Sequence, residues 1–180
     1  GLVLDPYARE VVGSYVREEQ ANSAHGLLAK VVNDDDFDWA GDKAPCVPMA
    51  DTVLYEAHIK GVTKQLTGAV PQGTYAAIAS SAFIDHVKAL GVTSIDFLPF
   101  TRFIDEDRLL AKGLTNFWGY NPVSFFAPET RYAVNPESVP ETSLVFKNGS
   151  VGQYDFHSGE FLFVIGAVGL HDVEPYNDRK

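Results

Sequence analysis

The sequence has a single cysteine, Cys46, so it can form no internal disulfide and offers no paired-cysteine metal motif. Long hydrophobic segments are also missing, because the longest apolar run, 161–170, is interrupted by Gly166 and Gly169 and is too short to span a membrane. No basic and then apolar leader opens the chain. We therefore expect a cytoplasmic protein without a metal ion or other cofactor.

Positive charge is scarce as well, with 14 Lys and Arg against 24 Asp and Glu and a net charge of −10. Nucleic acids and anionic membrane surfaces attract basic patches, so neither is expected as a partner, whereas neutral glycans are compatible with this charge. The 180 residues are 46% hydrophobic and 21% charged, which is ordinary for a globular protein with a buried core.

Residues 1–50 show no sustained periodicity and are predicted to be an ordered linker that enters a domain. The chain lacks an initiator methionine and reads like an excerpt from a longer protein. Asp34, Asp36 and Asp38 alternate as in a calcium loop, but Trp39 and Pro45 stand where that loop needs glycine and glutamate. A solvated acidic turn is the favoured interpretation of this segment.

A β-strand, an α-helix and a second strand are predicted between residues 51 and 98. The first strand is Asp51–Ile59, with Glu56 and His58 on the same face. The helix is Ser81–Leu90, capped by a serine, and the second strand is Val92–Leu98. Such a βαβ unit starts a parallel sheet, either of the Rossmann type or of a (β/α)₈ barrel. No G-x-G-x-x-G motif follows either strand, so dinucleotide binding lacks its main support.

Glu56 and His58 are the first candidate site residues. They suit a base and its orienting partner, or two metal ligands, as in a small α/β enzyme. A hydrogen-bonded polar pair near the mouth of the sheet is favoured, because no third ligand or nucleophile lies nearby in the sequence.

The second candidate site is the segment Asn116–Asn121, which lies in the connection after the second predicted strand. It contains Phe117, Trp118 and Tyr120 around one glycine, flanked by two amides. Aromatic rings stack on the C–H faces of sugars while amides bond their hydroxyls, although aromatic residues more often fill cores. The carboxylates of Asp105–Asp107 in the same connection are expected to lie in a solvated turn, within a helical turn over Asp105–Lys112 that Gly113 caps.

Residues 134–180 have a different pattern from the rest of the chain. Asn148-Gly149 and Ser158-Gly159 are hairpin signals, and they separate the apolar or alternating runs 144–146, 151–156 and 161–168. This pattern predicts an antiparallel β meander.

Several blocks, in this order and spacing, resemble the glycogen-debranching (isoamylase-type) branch of the α-amylase superfamily of glycoside hydrolases. They are Leu4–Arg9, Val53–Thr63, Leu90–Pro99, Asn116–Asn121 and Ser124–Ala133. The resemblance implies an α/β fold that supplies the first two strands of a (β/α)₈ (TIM) barrel. It implies that 1–50 is a linker from a missing N-terminal β-sandwich and that 51–133 is the first part of the catalytic domain, with 134–180 an unassigned β-rich tail.

By the same resemblance, Tyr120 matches the tyrosine that stacks on glucose at the cleavage subsite, and Trp118 and Asn121 shape the wall beside it. Thr101 and Pro122 depart from the usual residues at their positions. The family's catalytic carboxylates lie on later strands, so no catalytic residue is assigned here.

The resemblance thus implies a fragment of a glycogen or starch debranching hydrolase that is inactive alone. The parent reaction is retaining hydrolysis of α-1,6-glucosidic branch linkages. The expected partner is an α-glucan (glycogen, starch or a maltooligosaccharide), with self-association through the open edges of an incomplete barrel. The alternative is a non-catalytic α-glucan-binding or interaction module.

Overall fold

A computed structural model describes residues 3–15, 26–31, 47–69 and 71–135, together with a strand at 162–164. The strands are β1 (Glu10–Val12), β2 (Leu28–Lys30), β3 (Leu54–Ala57), β4 (Ser94–Phe97) and β5 (Leu162–Val164). The α-helices are α1 (Ile59–Thr63), α2 (Tyr75–Ile78), α3 (Ser81–Ala89) and α4 (Asp107–Leu110), and single 3₁₀ turns lie at Met49–Asp51 and Thr130–Tyr132. In this part of the chain no helix is long and apolar enough to cross a membrane.

Strands β3 and β4 pair in parallel, with Leu54 opposite Ser94 and Ala57 opposite Phe97, as the βαβ prediction requires. The first strand is shorter than predicted at both ends. Asp51 ends the 3₁₀ turn, and Thr52 and Val53 precede the strand. At its C-terminal end the His58 ring accepts a hydrogen bond from the Gly61 N–H at 3.1 Å and so starts α1. Histidine is an unusual helix cap, so the alternating sequence pattern did not indicate that the strand ends before His58.

Helix α3 confirms its prediction within one residue. The Ser80 hydroxyl caps it by accepting from the Phe83 N–H at 3.4 Å, and Gly91 follows it with φ +71°. Phe83 and Val87 on its inner face are 0% and 1% exposed, and they belong to the same core as Ile95 of β4. Burial of each such side chain stabilises the fold by about 1.5–3 kcal/mol, so this packing fixes the βαβ unit.

Strand β5 adds a pairing that the sequence did not predict for the C-terminal region. It pairs in parallel with β4, with Ser94 opposite Leu162 and Asp96 opposite Val164, and gives the strand order β3-β4-β5. The antiparallel pairing expected between 161–168 and the other runs of the meander stays a prediction. An alternating sequence fits either direction of pairing, because both leave successive side chains on opposite faces. The other runs of the predicted meander lie outside the described residues.

The N-terminal segment contains regular structure that the sequence did not predict. Strands β1 and β2 form an antiparallel pair. Ala8, Val11 and Leu27 are buried in a small core that includes Ala127, and the Ser124 hydroxyl donates to the Ala8 carbonyl at 3.1 Å. This segment therefore packs on the connection that follows β4. The acidic segment 34–38 and Cys46 lie outside the described residues.

Candidate functional site

The connection from Pro99 to Tyr132 leaves the C-terminal end of β4, the end where parallel α/β folds bind ligands. It is ordered by isolated bridges between Thr101 and Pro128 and between Phe103 and Pro122. The Ile104 N–H also donates to the Asn121 carbonyl at 3.1 Å. These bonds hold the aromatic segment against the start of the same connection.

Asn116 shapes the turn that carries the aromatic residues. Its side-chain oxygen accepts from the Gly119 N–H at 2.9 Å, and its own N–H donates to the Asp105 carboxylate at 2.6 Å. Gly119 has φ +82°, and a Cβ there would lie 2.7 Å from the Pro99 carbonyl oxygen. The turn therefore requires glycine for both its backbone conformation and its close approach to Pro99.

Phe117, Trp118 and Tyr120 form what we call the aromatic platform, and their side chains are 46%, 55% and 54% exposed. The Trp118 ring stands perpendicular to the Phe117 ring, with centroids 5.3 Å apart. Asn121 is partly buried beside them, and its N–H donates to the Gly119 carbonyl at 2.9 Å. Large exposed aromatics on an ordered loop are typical of binding surfaces rather than of cores.

His58 lies beneath the platform and is buried. Its Nε2 is 2.7 Å from the Phe117 carbonyl oxygen and 3.3 Å from the Tyr132 hydroxyl. Its ring stacks on the Phe117 ring, with centroids 4.3 Å apart and planes within 8°. Since Nδ1 accepts from Gly61 and a carbonyl can only accept, the ring is neutral with its proton on Nε2. Burial is the main cause that lowers the pKa of His58, against the opposing bond to Phe117.

Glu129 organises the opposite side of the connection. It is fully buried, and its carboxylate accepts from Arg102 Nη1 at 3.1 Å, Arg131 Nε at 3.0 Å and the Phe103 N–H at 3.2 Å. Arg131 extends the network to Asp105 at 2.9 Å. Burial opposes the charge of Arg131, but its bonds to Glu129 and Asp105 raise its pKa overall.

Tyr132 lies between this network and His58. Burial first, and then the charge of Glu129, raises the pKa of Tyr132 to about 12. Its phenol therefore keeps its proton at neutral pH.

Two sequence interpretations are corrected here. Glu56 is exposed, whereas His58 is buried and bonds Gly61, Phe117 and Tyr132, so the structure does not bring Glu56 and His58 together as a hydrogen-bonded pair. Asp105 is not part of a solvated turn, because it accepts from both the Asn116 N–H and Arg131. Among the described residues, no group of three His, Cys, Asp or Glu side chains is arranged to hold a metal ion.

Four residues that support the platform were missed by sequence reasoning, namely Arg102, Glu129, Arg131 and Tyr132. Glu129 and Arg131 lie two and four residues after the apolar run Phe125-Phe126-Ala127. A glutamate and an arginine so close to an apolar run indicate charges that are paired and buried.

Sequence comparison finds bacterial glycogen debranching enzymes. The glycogen debranching enzyme of Erwinia tasmaniensis is 46% identical over 186 residues, which cover 96% of this chain and 27% of the relative. The glycogen operon protein GlgX homolog of Haemophilus influenzae is 34% identical over 187 residues, with the same two coverages of 96% and 27%. The chain therefore spans about a quarter of the length of these relatives. No protein-family model matches it.

Structural comparison finds pullulanases. The pullulanase SAP of group B Streptococcus, solved in complex with maltotetraose, matches with a TM-score of 0.61 over 91% of this chain and 22% of that chain, at 24% identity. The type I pullulanase of Bacillus subtilis, complexed with maltose, matches with a TM-score of 0.53 over 75% of this chain and 19% of that chain, at 30% identity. The chain is thus homologous to part of the glycogen debranching enzymes of the α-amylase superfamily, and the resemblance seen in its sequence is confirmed.

Proposed function

We propose that this chain is the part of a glycogen or starch debranching hydrolase that begins its (β/α)₈ catalytic barrel and binds α-glucan on the aromatic platform. The parent reaction is retaining hydrolysis of α-1,6-glucosidic branch linkages. The observation that carries the proposal is the exposure of Trp118 and Tyr120, at 55% and 54%, on an ordered loop beyond the C-terminal end of β4. The homology to debranching enzymes supports it.

The chemistry of the platform suits a glucose unit. Flat rings bury the C–H faces of a sugar, and an amide supplies the directional hydrogen bonds that its hydroxyls need. The Asn116 amide is committed to the turn through Gly119 and Ile104. Asn121 is therefore the amide assigned to a sugar hydroxyl, with Tyr120 as the stacking face and Trp118 as the adjoining wall.

The chain alone is proposed to be inactive. Retaining hydrolysis needs two carboxyl groups about 5–5.5 Å apart across the scissile bond. Glu129 is enclosed by Arg102 and Arg131, and Asp105 is bonded to Asn116 and Arg131, so neither is available for proton transfer to a sugar. The catalytic carboxylates that the resemblance implies belong to later barrel strands. The cytoplasmic setting stays a prediction.

The second candidate function is a non-catalytic α-glucan-binding or interaction module. The same platform supports it, because binding needs no carboxylate pair. In the described three-stranded sheet, β3 is an edge strand, as is β5 on the other side. These edges are where we expect self-association of an incomplete barrel.

The test is a chemical-shift titration of the 180-residue chain with maltooligosaccharides, alongside assays on glycogen and pullulan. A single platform covers one face of a sugar, so the dissociation constant is expected at about 1 mM, or about 4 kcal/mol. Trp118→Ala and Tyr120→Ala should each abolish saturable shifts. Phe125→Ala removes a ring that is 51% exposed in the same connection and serves as the matched control, which should leave binding unchanged.

Two results would contradict the proposal. Binding that survives both platform substitutions would place the glucan elsewhere. Turnover that copurifies with the chain would show that a carboxylate pair exists within it.

A further inference from the structure

His58 is the side chain that joins the end of the first parallel strand to the aromatic platform. It directly follows β3, and each of its two ring nitrogens has a different partner. Nδ1 accepts from the Gly61 N–H at 3.1 Å at the start of α1, and Nε2 donates to the Phe117 carbonyl at 2.7 Å. One ring thereby ties the start of α1 to the backbone that precedes Trp118, 59 residues further along the chain.

The ring contacts of His58 reinforce the second of these bonds. It stacks face to face on Phe117 at 4.3 Å, and the Trp118 ring meets it edge-on at 6.0 Å. Tyr132 closes the other side edge-on at 5.7 Å. His58 is only 7% exposed, so a glucan that lies on the platform reaches Phe117 and Trp118 but not the imidazole.

We propose that His58 is a positioning residue of the aromatic platform: through the carbonyl and ring of Phe117 it fixes the orientation in which Trp118 and Tyr120 meet an α-glucan. This inference rests on the proposed function of the platform. Asn116 closes the turn on itself through Gly119, and Asp105 anchors its beginning. His58 adds a contact that links the turn to the end of β3.

Substitutions at His58 can remove the hydrogen bond of one ring nitrogen and keep that of the other. The amide nitrogen of glutamine lies about as far along the side chain as Nε2, so His58→Gln keeps a donor for the Phe117 carbonyl and loses the acceptor for Gly61. The side-chain oxygen of asparagine lies about where Nδ1 does, so His58→Asn keeps the helix cap and loses the donor to Phe117. The two variants therefore form a matched pair, of which one retains the platform contact and the other the cap.

Two readouts are needed, one of them independent of glucan. Trp39 is the only other tryptophan, so a Trp39→Phe background makes Trp118 the single indole reporter. In that background, we expect His58→Asn to shift the indole N–H resonance and emission of Trp118 and to weaken maltooligosaccharide binding about five- to tenfold. His58→Gln, which keeps the donor but loses the stacked ring, should change both less than His58→Asn does and instead speed hydrogen exchange at the amides of α1. Amides of α3 should stay protected in both variants and thereby report that the fold is retained.

The outcomes distinguish this inference from the proposed function. If His58→Asn and His58→Gln change the Trp118 signals equally, or if only His58→Gln changes them, the positioning role is wrong. If the Trp118 signals follow the expected pattern but the parent chain binds no maltooligosaccharide, the positioning role stands and the proposed function fails. If binding is present and insensitive to His58→Asn, the link between orientation and glucan affinity is refuted.

Discussion

The βαβ unit and the connection that follows β4 are both ordered, but by different interactions. In the unit, the buried residues of α3, β3 and β4 are apolar except for Ser94, as with Phe83, Val87 and Ile95. In the connection, which has one four-residue helix and one 3₁₀ turn, Phe100 and Phe103 join the same core. Its order depends in addition on a buried carboxylate, Glu129, and on the polar side chain of Asn116.

The difference determines how each region responds when one of its interactions is lost. Apolar packing is non-directional and spreads over many neighbours, so its loss lowers the stability of the whole core. Polar side chains make a few directional bonds, and a buried carboxylate left without its partners is costly. The connection is therefore expected to open locally while the βαβ unit persists.

The largest effect is expected from Phe83→Ala, which tests the apolar half of the comparison. Phe83 is 0% exposed, so its truncation leaves a cavity and should lower the free energy of unfolding by about 3–5 kcal/mol. Urea unfolding followed by far-UV circular dichroism measures it. Leu90→Ala, at the exposed end of the same helix, is the control and should change the stability by less than about 0.5 kcal/mol. A small loss for Phe83→Ala would mean that the unit is not held by this core.

A smaller, more local effect is expected from Glu129→Gln. The amide keeps an acceptor for the Phe103 N–H but removes the charge that faces Arg102 and Arg131, at a cost of about 1.5–3 kcal/mol. Hydrogen exchange should accelerate across 99–132 and remain slow in α3. Glu56→Gln neutralises an exposed carboxylate and should leave both regions unchanged. Equal acceleration in α3 would abolish the distinction between the two regions.

The difference between the βαβ unit and the connection also explains which features could be predicted from the sequence. Hydrophobic periodicity and capping signals within about fifty residues predict helix α3, its serine cap and the parallel strands β3 and β4. These predictions are confirmed. The strand β3 was predicted too long because a histidine cap has no strong sequence signature, and the start of α1 at Ile59 was missed with it.

The support of the candidate site was not predictable from local pattern. The Glu129 carboxylate meets Arg102 from a position 27 residues away, and His58 meets the Phe117 carbonyl across 59 residues. Spacing rules describe neighbours along one helix or strand, not contacts between distant loops. The platform residues themselves were recognised by composition and family resemblance, and their role in binding stays a prediction.

The smallest expected effect is a pH dependence of the stability. It arises at His58, which contacts both the βαβ unit and the connection. Burial lowers the pKa of His58, so the folded chain keeps the ring neutral where the unfolded chain takes up a proton at about pH 6.5. The unfolded state then binds more protons, so stability is full above that pH and decreases as the pH falls toward the lower folded pKa. Unfolding measured in urea at about pH 7.5 and about pH 5.5 should show this loss, and His58→Gln should reduce it. His86→Gln, on the exposed side of α3, should retain it, and an equal pH dependence in the parent chain and His58→Gln would show that the imidazole is not held neutral by its burial.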